Sequence, residues 1–132
     1  MRDTKLLWMV AVLTLLVTAH NVDHLIRDGV SLPLLIVVGV IYALIGVTLW
    51  LYWNNRVGVR YFTVAAVLGF AFGWFGHFSP FTDQPPAYIL GAYRSSIAGW
   101  LALSALCGIM LTLAAVALYC SYHWAHQRSR RT

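Results

Sequence analysis

The chain has 132 residues, of which 61% are hydrophobic and 10% charged, and its formal net charge is +5. A soluble domain carries about 45–50% apolar and about 25% charged residues, and one this small would expose too much of the excess to water. The composition excludes a soluble globular domain, and because the basic residues sit in short clusters between apolar runs, the positive charge marks topology and not a nucleic-acid face.

Four apolar runs follow one another: residues 6–26, 32–53, 61–78 and 97–122. Each is close to or above the roughly 17–25 residues that cross a bilayer as a helix. The first link holds a helix-stop glycine, Gly29, and a helix-start serine, Ser31, with Pro33 in the first turn, where proline is tolerated. The link over residues 54–60 is equally short, and short links make sequential helices antiparallel neighbours. The expected fold is all-α: one four-helix, up-and-down membrane bundle occupying residues 1–132 as a single domain.

Lysine and arginine set the orientation. Arg2, Lys5, Arg56, Arg60, Arg128, Arg130 and Arg131 share one side of a four-span chain, whereas only Arg27 and Arg94 fall on the other. The positive-inside rule then puts both termini in the cytoplasm, as expected of a multi-pass protein of a bacterial or archaeal plasma membrane. Trp50, Tyr52, Trp53, Tyr61, Tyr119, Tyr122 and Trp124 cluster at the same inner boundary, as interfacial anchors do. The start of the chain also resembles a secretory signal, with a small-residue cleavage site at Val17-Thr18-Ala19. Cleavage there would leave His20 as the first residue and only three spans; the expectation is an uncleaved first span. Cys107 and Cys120 lie about 20 Å apart on one helix, too far for a disulfide.

The unusual polar residues are His20, Asp23, His24 and Arg27 at the end of the first span. At 100° per residue they fall within an arc of about 100°, one face of the last turns. The apolar stretch before them is about 21 Å long, shorter than the roughly 30 Å hydrocarbon core, so the helix continues through the polar set. His77 ends the third span, which also runs outward, and belongs at the same depth. Gly69, Gly73 and His77 share one face at spacings of four, and small residues at that spacing permit close helix packing. An exposed Gly69/Gly73 face would favour a homodimer.

Three chemistries fit. A divalent transition metal (Zn, Cu or Fe) would take His20, Asp23, His24 and His77 as ligands, since histidines four apart share a face and a carboxylate completes a mixed set. Asp83 would be a further or outer ligand, and Arg27 and Arg94 would hold the outer shell or an anion. A b-type haem would sit between histidines of two helices, with the glycine face making room for it. A proton or ion relay would use Asp23 and the histidines as exchanging groups. The plain alternative is an interfacial set in which Arg27 pairs with Asp23 or Asp28.

The connection over residues 79–96 is the longest, and its apolar part, residues 87–93, reads as an interfacial segment or a lid. His123 and His126 belong across the bilayer from the first cluster. No phosphate-binding loop or nucleophile elbow is present, no lysine lies inside a span, and four acidic residues give little scope for paired-carboxylate hydrolysis. The functional expectation is a small membrane protein with an outward metal site, acting as a redox or lipid-modifying enzyme or as an accessory subunit. The alternatives are a haem protein, a carrier component and an assembly subunit without chemistry. Its partners are the lipid bilayer and a second copy or a membrane complex, and no nucleic acid.

Overall fold

The computed structural model describes residues 3–94 and 96–129, the last three by backbone only. Arg2, Arg130 and Arg131 of the topology argument lie outside the described residues, as does the side chain of Arg128. Among the described residues there are five helices and no strand: α1 (Thr4–Arg27), α2 (Leu32–Trp53), α3 (Val59–His77), α4 (Pro86–Ala92) and α5 (Ile97–Ser129). Four of them, α1, α2, α3 and the stretch Ile97–His126 of α5, are long and apolar enough to cross a membrane.

Local chemistry sets most of the helix ends. Asp3 caps α1 by accepting from the backbone N–H groups of Lys5 and Leu6, which a helix's first turn leaves unpaired. Gly29, at φ +78°, takes the left-handed conformation that ends a helix with little steric cost. Ser31 accepts from the Leu34 N–H at 3.3 Å and starts α2, with Pro33 in its first turn. The third span begins two residues before the expected position, and α5 runs past the expected end at residue 122. The expected interfacial segment includes a short helix, α4, whose Ile89 is fully buried against Ala102 and Leu106 of α5.

Helix α5 is the centre of the packing. Its buried residues Ala102, Leu106, Ile109, Leu113, Val116 and Cys120 alternate spacings of four and three, the heptad seam of closely packed helices. Two helices meet it. From α3 come Phe62 and Ala66, followed along the same seam by Gly69 and Gly73. A Cβ on Gly69 would lie 3.3 Å from the Leu113 side chain, and one on Gly73 would lie 2.7 Å from Met110 Sδ. The glycine face is therefore filled by α5 and is not exposed for a homodimer. From α1 come Leu6, Val10, Leu13 and Val17, and Leu16 fits over Gly108. By contrast, α2 buries no residue and touches its neighbours at a few points, including Tyr42 to Thr18 and Thr48 to Tyr61. An apolar helix with so little protein contact is suited to lipid.

The α1 seam explains where the site lies. Continued in the same four-three rhythm, it runs Leu6, Val10, Leu13, Val17, His20, His24. The two histidines occupy packing positions, and the seam turns from aliphatic to imidazole over its last turns. Polar groups at those positions need partners, because burial without hydrogen bonds is costly.

Candidate metal centre

At that end His20, His24 and His77 meet. One ring nitrogen of each lies within 4.8 Å of the others, a group able to hold a metal ion. The ring centroids are 4.6 Å apart for His20–His24, 5.0 Å for His20–His77 and 5.7 Å for His24–His77. His20 is only 9% exposed, while His24 and His77 are partly buried.

The closest approach is 3.3 Å, between the Nε2 atoms of His20 and His77. Two ligands of a tetrahedral ion with bonds of about 2.0–2.1 Å stand about 3.3–3.4 Å apart. The separation is thus the bite of a tetrahedral centre as well as a hydrogen-bond length. The outer contact of His77 favours a free Nε2 on that ring. His77 Nδ1 lies 3.2 Å from the Gln84 carbonyl oxygen, which only accepts, so Nδ1 carries the proton and Nε2 keeps its lone pair. With no ion bound, His20 then donates from Nε2, and its buried Nδ1 has no hydrogen-bond partner.

His24 is oriented by Asp28, whose Oδ2 lies 2.8 Å from Nδ1. Arg27 Nη2 is 2.9 Å from that same nitrogen, but a neutral Nδ1 cannot donate to Asp28 and accept from Arg27 at once. The guanidinium already donates twice to Asp28, at 3.1 Å through Nε and 3.1 Å through Nη2. We therefore assign the Nδ1 proton of His24 to Asp28, an arrangement that orients metal-binding imidazoles. Burial on its own would raise the Asp28 carboxyl, but the hydrogen bonds from Arg27 and His24 outweigh it and hold the group below its ordinary value.

Asp23 is placed around the cluster, outside the set of close ligand atoms. Its Oδ1 accepts a 2.7 Å hydrogen bond from the Tyr93 hydroxyl, and its Oδ2 faces Arg27 Nη1 at 3.5 Å. Both charged side chains are almost completely buried. The hydrogen bond to Asp23, with burial, pushes the Tyr93 phenol up to about 12, so Tyr93 is a donor and not a phenolate ligand. Arg27 thus pairs with both Asp23 and Asp28. The two carboxylates and one guanidinium leave one negative charge beside the imidazoles, which favours a cation there.

Asp83 and Arg94 are exposed on the connection, Arg94 at φ +50°, and among the described residues no ion pair joins them. The haem alternative meets a steric obstacle. Met110 and Leu113 fill the groove over Gly73 and Gly69, and the His20 and His77 rings are in hydrogen-bond contact, with no gap for a macrocycle between them. His123 and His126 pack against Tyr119 and Tyr122 at the other end of α5. The residues that sequence reasoning missed are Gln84, Tyr88 and Tyr93, none of which carries a ligand-like signal of its own. No family model, curated protein or solved structure matches the chain.

Proposed function

We propose that this chain is a membrane metalloprotein in which His20, His24 and His77 hold one transition-metal ion. The observation that carries the reading is the convergence of three imidazoles from two helices, with the Nε2 atoms of His20 and His77 at a tetrahedral bite. Imidazole suits zinc, copper and iron alike, but the carboxylate of the usual two-histidine iron triad is missing from the set, because Asp23 is engaged by Tyr93 and Arg27. Zinc or copper therefore fits best. Three protein ligands leave a fourth position open, as catalytic centres do and closed structural sites do not. In this reading the ion binds substrate or water there, and Asp23 with Tyr93 supplies the polar surroundings.

The bundle runs up and down as one domain, with both termini cytoplasmic and the histidine end outward. Support comes from the basic residues and from two contacts. Asp3, before α1, accepts from Tyr119 near the far end of α5, and its N–H donates to Tyr52 near the end of α2. His20 and His77 meet at the opposite ends of α1 and α3.

Equilibrium dialysis of the detergent-solubilised protein against Zn(II) or Cu(II), followed by metal analysis, tests the site. Wild type should hold one ion, and His20→Ala or His77→Ala should hold none while keeping their helical content. Wild type that retains no more metal than the variants contradicts the proposal.

A further inference from the structure

The segment joining α3 to α5 bonds to His77 and to the two carboxylates beside the cluster, Asp28 and Asp23. The Gln84 carbonyl accepts from His77 Nδ1, the Tyr88 hydroxyl donates to Asp28 Oδ1 at 3.2 Å, and the Tyr93 hydroxyl donates to Asp23 at 2.7 Å. The Tyr88 ring also covers Arg27, with 5.2 Å from the guanidinium carbon to the ring centroid. Two of these bonds support ligand orientation: Gln84 fixes the His77 tautomer, and Tyr88 holds the carboxylate that orients His24.

We propose that residues 84–93 form a strap over the histidine cluster whose opening admits and releases the ion, latched by Tyr93 on Asp23 and Tyr88 on Asp28. The inference rests on the metal-site reading and adds a regulated path to it. The segment is built to open. Helix α4 has seven residues and no side-chain cap, and so short a helix does not persist alone in water. Its one fully buried side chain, Ile89, holds it on α5 with the Tyr93 ring packed alongside, beside a close approach that Gly99 permits: a Cβ there would lie 3.1 Å from the Tyr93 Cβ and 3.5 Å from the Leu90 Cα. Towards the site it is held by the three hydrogen bonds and by the Tyr88 ring over Arg27. Closing the strap and orienting the ligands are therefore one event, and by linkage an ion that favours oriented ligands favours the closed strap equally.

The test uses the full chain in detergent, loaded with Co(II) as a coloured probe. Release to excess chelator is followed by absorption in wild type, Tyr93→Phe, Tyr88→Phe and the double variant. Because each substitution removes a hydrogen bond to a carboxylate, release should quicken about tenfold or more in Tyr93→Phe and further in the double variant, at unchanged stoichiometry. Tyr52→Phe, at the other end of the bundle, should release at the wild-type rate. Hydrogen exchange on wild type should show amide protection over residues 86–92 rising on loading. Full loading with release within twofold of wild type in both tyrosine variants overturns the strap and leaves the metal site standing. If Tyr93→Phe does not fold, unchanged exchange over residues 86–92 on loading overturns it alone. Wild type that takes up no cobalt overturns both readings.

Discussion

The Nε2 atoms of His20 and His77 lie 3.3 Å apart although the residues are separated by 57 positions in the chain. Neither helix packs chiefly on the other; both pack on α5, through the aliphatic seam of α1 and the glycine seam of α3. The contact is thus a consequence of where those seams end. Changes deep in the bundle should reach the site through α5, which gives the first prediction.

In Gly73→Ala the new methyl would stand 2.7 Å from Met110 Sδ, the flexible part of a side chain that can turn aside. Its cost should be small. Gly73→Leu cannot be absorbed so and should cost about 1–3 kcal/mol by overpacking. It should also weaken metal binding by tilting α3 and His77. Thermal unfolding in detergent and metal titration check this, and adding Met110→Ala to Gly73→Leu should restore part of both.

Asp23→Asn should destabilise the fold by about 3 kcal/mol, because it removes one carboxylate from a buried guanidinium that keeps only Asp28. Tyr93 would lose its charged acceptor. Denaturation midpoints of Asp23→Asn and Tyr93→Phe, alone and together, should show non-additivity. Strictly additive effects would mean that the Tyr93–Asp23 bond contributes nothing to stability.

Lowering the pH should release the ion before it unfolds the protein. Histidine ligates only when neutral, so affinity falls with acid. The Asp28 carboxyl lies below its ordinary value of 3.8. Its stabilising contribution is complete above that value and is lost only as the pH falls through the lower folded value. Bound metal and circular dichroism, followed on the same samples from about pH 7 to about pH 4, should part, with metal leaving first. Coincident curves would contradict this ordering.

The proposed orientation predicts opposite labelling of two single cysteines in a Cys107→Ala, Cys120→Ala background. In intact cells an impermeant thiol reagent should label Asp83→Cys and spare Arg56→Cys. The reverse pattern would put the histidine end on the cytoplasmic side.

Much of this structure was legible in the residue pattern. Run lengths gave the four apolar helices, Gly29 and Ser31 marked the first turn, and the lengths of the spans put His77 level with His20 and His24. Other features depend on partners distant in the chain. Nothing beside Asp23 indicates that Tyr93, 70 positions away, donates a hydrogen bond to it, or that Tyr88 does the same for Asp28 across 60 positions. The glycine spacing announced a close contact without identifying α5 as the helix that fills it. The packing role of the histidines is readable too: the four-three rhythm from Leu6 to Val17 continues through His20 and His24 and marks them as packing residues.

The most direct test of the central claim is X-ray absorption on protein loaded with one equivalent of Zn(II). The account predicts a four-coordinate ion with imidazole scattering from three histidines at about 2.0 Å and one further light atom. His77→Ala, if it retains any metal, should lose one imidazole. A six-coordinate oxygen shell without imidazole scattering, the same in wild type and variant, would contradict a metal centre built from His20, His24 and His77.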